Sequence, residues 1–248
     1  MINLKSKLAK REWAARADRM MRTVEGPMAR RLAAEFDRVA RESGGAGVVD
    51  IHHHANNLRL ILLNAYETTI SMFLDVYFST KKTCCIVLEY KLDTEDEIRR
   101  RAVKLARARA QQIADDIAKT TKDKIRRAIT TGLGSGKTTA QIAKDILLRV
   151  GGSIAKRRAM TIARTEVHGA ANGALLEGAH ADADVLENKE WVATEDDRTR
   201  VDHDHANGQI VGIKEMFTVG GEKLRFPGDP SGSPENIINC RCQIVFGS

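Results

Sequence analysis

The stretch that leaves this chain the fewest options runs from Ile162 to Phe246. It opens on Ile162-Ala163-Arg164-Thr165-Glu166-Val167-His168 and passes through Trp191 and the run Asp196-Asp197-Arg198-Thr199-Arg200-Val201-Asp202-His203-Asp204-His205. It closes on Pro227-Gly228-Asp229-Pro230 and Asn239-Cys240-Arg241-Cys242. Arg, Asp, His, Asn and Cys crowd together here, with Gly and Pro at the turns. Such a composition predicts a loop-rich fold held by specific polar contacts rather than by a large apolar core. Upstream of it, nearly everything reads as helix.

A chain of 248 residues fits one large domain or two small ones. Aromatic residues are only 4% and charged residues 29%, which points to long solvated helices. The net charge of +7 is uneven: residues 1–130 carry a balance of +9 and residues 131–248 one of −2. A basic half suits nucleic acid, an acidic protein surface, or simply a solvated helix face. The four cysteines fall as Cys84-Cys85 and as Cys240 and Cys242, unlike the spaced framework of a secreted disulfide domain. Met1 to Arg22 alternates charges with alanines, and no run of about 18 apolar residues exists to span a bilayer. The expectation is a reducing, cytoplasmic setting for synthesis.

Apolar positions recur at helical spacing from Leu4 to Val39, interrupted by Gly26-Pro27, where a second helix is expected to start with Pro27 in its first turn. Ser43 to Gly47 reads as a break. His52, His53 and His54 point about 100° apart on a helix, so they cannot converge on one metal; a helix start or exposed loop is expected. Asn56 to Phe78 is apolar on most faces, which fits either a buried central helix or one that docks on a partner. Cys84 to Leu88 suits a short strand or a helix end. Thr94-Glu95-Asp96-Glu97 has the form of a capping box and predicts a helix to about Thr130. Arg99, Arg100, Arg101, Lys104 and Arg107 form a basic zone on it, the best candidate contact for DNA phosphates.

Gly132-Leu133-Gly134-Ser135-Gly136-Lys137-Thr138 imitates a phosphate-binding loop, but the required first glycine is Thr131. It also follows a charged helix rather than a buried strand. A helix cap at Gly132 or Gly134, a short linker and a new helix from Thr138 to Val150 are the better reading. Another helix is expected from Ile154 to about His180, with Arg164 and His168 sharing one face. Strands are expected at Glu190–Ala193 and Cys242–Phe246, with a hairpin around Gly220-Gly221. The fold class is therefore α+β: a long-helical N-terminal region, then a compact C-terminal domain of helices and a small antiparallel sheet.

Six motifs then stand in order: Ala-Arg-Thr-Glu (Ala163 to Glu166), Lys189-x-Trp191, Asp196-x-Arg198 with His203, Asn207-Gly208-Gln209, Pro227-Gly228-Asp229, and Asn239-Cys240-Arg241-Cys242. Together they resemble the phage Mu F-like head morphogenesis family over about residues 131–248. The resemblance implies a minor head protein of the virion, in the head interior near the portal vertex and made in the host bacterial cytoplasm. It implies contacts with portal protein, scaffold or major capsid protein, possible contact with packaged double-stranded DNA, no membrane and no enzymatic activity. Residues 1–130 would then serve portal or scaffold docking or DNA contact.

Two uses compete for the polar residues. Cys240 and Cys242 share one side of an extended segment and, with His203 (or His205) and His168, offer a Cys₂His₂ zinc site, although Cys-x-Cys is tighter than the usual spacing. Alternatively Arg164, Glu166, Asp196, Arg198, His203 and Asn239 form a structural hydrogen-bond network around buried free thiols. Trp191 is expected in the core of the small sheet, with its indole N–H satisfied locally. A zinc hydrolase or nuclease built on His168, His203 and Asp202, or a DNA-binding head protein, are the alternative functions.

Overall fold

The computed structural model describes residues 7–45, 49–83, 94–182 and 186–247. The expectations for Leu4 and for Cys84 to Leu88 fall outside these. Five long helices come first: α1 (Lys7–Gly45), α2 (Ile51–Thr83), α3 (Glu95–Gly134), α4 (Thr139–Val150) and α5 (Gly152–Ala181). Short elements follow: β1 (Asn188–Val192), α6 (Val201–His205), β2 (Ile210–Gly212), β3 (Phe217–Val219), β4 (Glu222–Leu224), α7 (Pro234–Ile237) and β5 (Gln243–Gly247). This is the α+β class the sequence predicts. No helix among the described residues is long and apolar enough to cross a membrane.

The chain divides into two compact units, neither continuous in sequence. The helical unit takes Glu25–Ala65 and Ala106–Ala163; the mixed unit takes Met1–Val24, Tyr66–Leu105 and Arg164–Ser248. The sequence boundary expected near residue 130 falls inside α3.

In the helical unit, Val39, Ala40, Ile125, Ala128, Ile142, Ile146 and Val150 form an apolar cluster, with Val49 and Ile129 packed at its margin. The expected break at Gly26-Pro27 is absent, and α1 runs through Pro27. A mid-helix proline forfeits one backbone bond and costs about 3 kcal/mol. The fully buried positions that follow on one helical face, Met28, Leu32, Phe36 and Val39, offset it. Thr94 caps α3 as expected: its Oγ1 accepts from the Glu97 N–H at 3.2 Å, and Glu97 Oε2 accepts from the Thr94 N–H at 2.8 Å. At the other end the cap is neither Gly132 nor Gly134. Gly136 takes the left-handed conformation, φ 66°, while the Lys137 N–H reaches the Gly132 carbonyl and the Gly136 N–H reaches the Leu133 carbonyl. That is the six-to-one and five-to-two pattern of a Schellman cap. Thr138 and Gln141 then close a capping box on α4. The glycine-rich run is thus used up in stopping one helix and starting the next.

One polar cluster sits in this unit. Asp50 caps α2 by accepting the His53 N–H at 3.0 Å, and the buried His54 Nδ1 lies 2.8 Å from Glu35 Oε1. Arg38 bridges Glu35 and Glu42. Burial pushes the Glu35 carboxyl up, but hydrogen bonds from His54 and Arg38 outweigh it and bring the group to about 2.

In the mixed unit the apolar half of α2 is interior: Tyr66, Phe73, Leu74 and Tyr77 are buried, and Trp13 meets Phe73 edge-on. The sheet has the order β2-β1-β5, all antiparallel, with Trp191 opposite Ile244 and Lys189 between Val211 and Phe246. β3 and β4 form a separate hairpin. Lys10 pairs with Glu190 at 2.6 Å and Arg11 with Glu195, so α1 is tied to the segment that follows it by some 180 residues.

Candidate functional site

Each motif of the C-terminal block has a local physical reason. Gly228 is left-handed, φ 82°, and lies so close to α5 that a Cβ on Gly169 would sit 2.8 Å from its carbonyl oxygen. Only glycine on both sides permits that approach. The preceding Pro227 carbonyl accepts from Asn172 Nδ2 at 3.1 Å. Asp229, fully buried, accepts from the Arg225 N–H and guanidinium and from the Ser231 N–H, at 2.8–3.1 Å. Burial raises its carboxyl, yet Arg225 and these N–H groups hold it below the usual range.

Asn207-Gly208-Gln209 works in the same way. Asn207 Oδ1 accepts the Ala193 N–H and its Nδ2 donates to Glu195, a residue itself at φ 55°. Gly208 donates its N–H to the Trp191 carbonyl at 2.8 Å. The Gln209 amide both accepts the Thr218 N–H at 2.7 Å and donates to the Thr218 carbonyl at 3.1 Å, substituting for a neighbouring strand. Lys189 is buried, with Nζ donating to the Arg225 carbonyl at 2.8 Å above the Phe217 ring. Burial lowers it to about 8.

The first and last motifs meet. Thr165 Oγ1 accepts the N–H of Asn239, whose φ is 55°, and Glu166 accepts the Tyr66 hydroxyl at 2.6 Å. Asn172 is the hub behind them. Its Oδ1 accepts the Ile244 N–H at 3.0 Å, while Nδ2 donates to the Pro227 and Cys242 carbonyls. His168 Nε2 also donates to the Cys242 carbonyl, at 2.6 Å.

Of the residues named from sequence for a polar network, Arg198 stands apart. Its side chain is exposed and its guanidinium lies 3.6 Å from Asp196, whereas Arg241 grips that carboxylate with two bonds of 2.5 and 2.6 Å. The Arg241 guanidinium holds Asp196 well below the usual carboxylate range. Arg164 is half-buried on α5. Sequence reasoning passed over Asn172 and Arg241. A polar residue beside the apolar face of α5 was the available signal for the first; the second stands inside the Asn239-Cys240-Arg241-Cys242 motif, but nothing local pairs it with Asp196.

Of the four residues named for a metal, three converge. His203, on α6, faces two sulfurs: its Nδ1 is 3.4 Å from Cys242 Sγ and 3.7 Å from Cys240 Sγ. All three donor atoms lie within 4.8 Å of one another, and all three residues are buried. His168 is not a member of that triangle: its Nε2 donates to the Cys242 carbonyl, and its ring also favours the Cys240 thiolate. His205 and Asp202 are exposed, with the Asp202 carboxylate against Gly220. The two thiols are free. Cys240 is the more acidic, favoured by a hydrogen bond from Cys242, while that bond and burial push Cys242 up. The Trp191 ring stands edge-on to His203 at 5.6 Å. Its indole N–H meets no nitrogen or oxygen acceptor and lies toward the Cys242 sulfur, where it favours the thiolate.

The basic zone of α3 is largely solvent-facing. Arg100, Arg101, Lys104 and Arg107 are exposed, while Arg99 pairs with Asp75 and stacks on Phe78.

The profile of the family described as Phage Mu protein F like protein matches residues 123–245. Two curated relatives resemble the chain. NAD(+)--arginine ADP-ribosyltransferase EFV of Enterococcus faecalis is 33% identical over 120 residues, covering 47% of this chain and 24% of that protein. Minor head protein GP7 of Bacillus phage SPP1 is 32% identical over 121 residues, 48% of this chain and 38% of that protein. The chain thus spans well under half the length of either. No solved structure matches it.

Proposed function

Residues 123–245 belong to the phage Mu protein F like family, and from that premise we propose that the chain is a minor head protein of a tailed phage or prophage, acting in head morphogenesis at the portal vertex. The similarity to the SPP1 minor head protein carries the reading. The wiring supports it. Loops pinned by Asn172, Gln209 and Asp229 make a rigid body suited to being placed in an assembly. The C-terminal region, about residues 131–248, is the placed module. The helices of residues 1–130 dock on portal protein, scaffold or major capsid protein, and the exposed cations from Arg100 to Arg107 face packaged double-stranded DNA.

Catalysis is not part of this reading. The enterococcal relative is named as an enzyme, but the chain covers 24% of it, and His203, Cys240 and Cys242 are all buried. The decisive experiment is mass spectrometry and localised reconstruction of purified heads, together with co-expression of the chain and its cognate portal protein. Recovery in heads at a few copies and co-purification with the portal oligomer are the expected results. Absence from mature heads and proheads alike would end the proposal.

A further inference from the structure

We infer that His203, Cys240 and Cys242 hold a zinc ion, with His203 binding through Nδ1 and both cysteines as thiolates. The geometry is the first reason. Zinc bonds of about 2.3 Å to sulfur and about 2.0–2.1 Å to nitrogen, at a tetrahedral angle, put sulfur and nitrogen about 3.6 Å apart. The distances here are 3.4 and 3.7 Å. A contact between a thiol and an imidazole needs only one sulfur near the ring nitrogen; here two sulfurs bracket the same Nδ1.

Charge is the second reason. Two thiolates and one divalent cation sum to zero, so the filled site is neutral in a place where all three side chains are 3% exposed or less. The soft sulfur donors favour zinc over magnesium or calcium.

The third reason is where unmet polar atoms gather. Seven buried side-chain nitrogens and oxygens among the described residues have no partner, and five belong to Trp191, His203, Asn239 and Gln243. Those four are the ligand His203, the immediate neighbours of the two cysteines, and the ring packed on His203. Native interiors rarely leave such groups unmatched, and a thiolate at Cys242 supplies an acceptor for the Trp191 N–H that lies toward it.

The local backbone serves the same end. Asn239 at φ 55° turns the chain just before Cys240, so both cysteines precede β5 rather than lie on it. The Thr165 hydroxyl and the Cys242 carbonyl's bonds to His168 and Asn172 fix that turn. A metal here staples α6 to the turn before β5 within the mixed unit. The inference goes beyond the proposed function and stands or falls without it.

The test uses the full chain, purified under reducing conditions, stripped with a chelator and titrated with cobalt(II) as a spectroscopic stand-in for zinc. One equivalent should bind with an intense thiolate-to-cobalt charge-transfer band, be displaced by one equivalent of zinc, and raise the melting temperature by several degrees. Cys240→Ser with Cys242→Ser should abolish the band, and His203→Gln should weaken binding at least tenfold while circular dichroism still reports the long helices. Less than a tenth of an equivalent bound by folded wild-type chain would overturn the site. So would a charge-transfer band that survives the double cysteine substitution.

Discussion

The helical unit and the mixed unit solve the same problem with different materials. In the first, Val39, Ile125, Ile142, Ile146 and Val150 bury aliphatic faces against one another, and any side chain of similar volume does similar work. In the second, polar side chains hold named backbone groups: the buried Asn172 fixes the Ile244 N–H 72 residues on, Gln209 pairs with the Thr218 backbone, and the buried Asp229 closes the turn from Arg225 to Ser231. One is tolerant of identity and sensitive to volume; the other is the reverse. A module meant to present a fixed surface gains from the second design, because directional bonds fix loops that apolar packing leaves loose.

The sharpest way to break this contrast is a pair of substitutions. Asn172→Leu keeps the volume but strands the Ile244 N–H and the Pro227 carbonyl in the interior, at about 1–3 kcal/mol each, so a loss of about 3–5 kcal/mol is expected. Ile146→Leu should cost less than about 1.5 kcal/mol. Urea unfolding followed by circular dichroism measures both, and equal losses would erase the distinction.

Titration separates the units next. Glu35 in the helical unit is lowered to about 2 from an ordinary value of 4.5. Because the folded state prefers the carboxylate, its contribution is complete above pH 4.5 and is lost as pH falls towards 2, up to about 3 kcal/mol. Lys189 in the mixed unit is lowered to about 8 from 10.5. Here the folded state disfavours the charged form, so stability should rise between pH 8 and 10.5. Unfolding midpoints across pH, compared with those of Glu35→Gln and Lys189→Met, should show the acid limb flattened by the first substitution and the alkaline rise by the second.

A smaller effect probes the same wiring. Asp229→Asn is nearly isosteric, yet it turns an amide NH₂ toward the Arg225 and Ser231 donors and leaves Arg225 without its countercharge. About 2 kcal/mol of destabilisation is expected, visible as a lowered urea midpoint. Asp145→Asn, at the exposed pair with Lys137, is the matched surface control and should leave the urea midpoint nearly unchanged.

What the sequence disclosed follows from this division. The long helices, the Thr94 capping box and the hairpin at Gly220-Gly221 were legible because each is written in neighbouring residues. Gly26-Pro27 misled because a local breaker was overruled by the buried face from Met28 to Val39. β2 went unread because three residues pair with Lys189 and its neighbours far upstream, and no local pattern records that. Asp196 and Arg198 stood together as network candidates because they are neighbours in sequence, while the strong partner of Asp196 is Arg241, 45 residues on. The cysteines and His203 were picked out by residue type; that His168 lies outside their triangle depends on where the Cys242 carbonyl falls.

The smallest expected effects concern Gly132 to Thr138, where sequence imitates a nucleotide site and structure supplies a helix cap. If Gly136 is there for its left-handed backbone, Gly136→Ala should cost about 1 kcal/mol, since nothing stands within 4 Å to clash with the new methyl and only the conformation is penalised. Lys137 pairs with Asp145 at 2.7 Å on the surface, so Lys137→Ala should cost under about 1 kcal/mol. A phosphate-binding loop would behave differently: the lysine would matter to ligand rather than to fold, and ATP with magnesium would raise the melting temperature of wild type but not of Lys137→Ala. No such shift is expected from either protein. A wild-type shift that disappears with Lys137 would return this stretch to the functional side of the comparison.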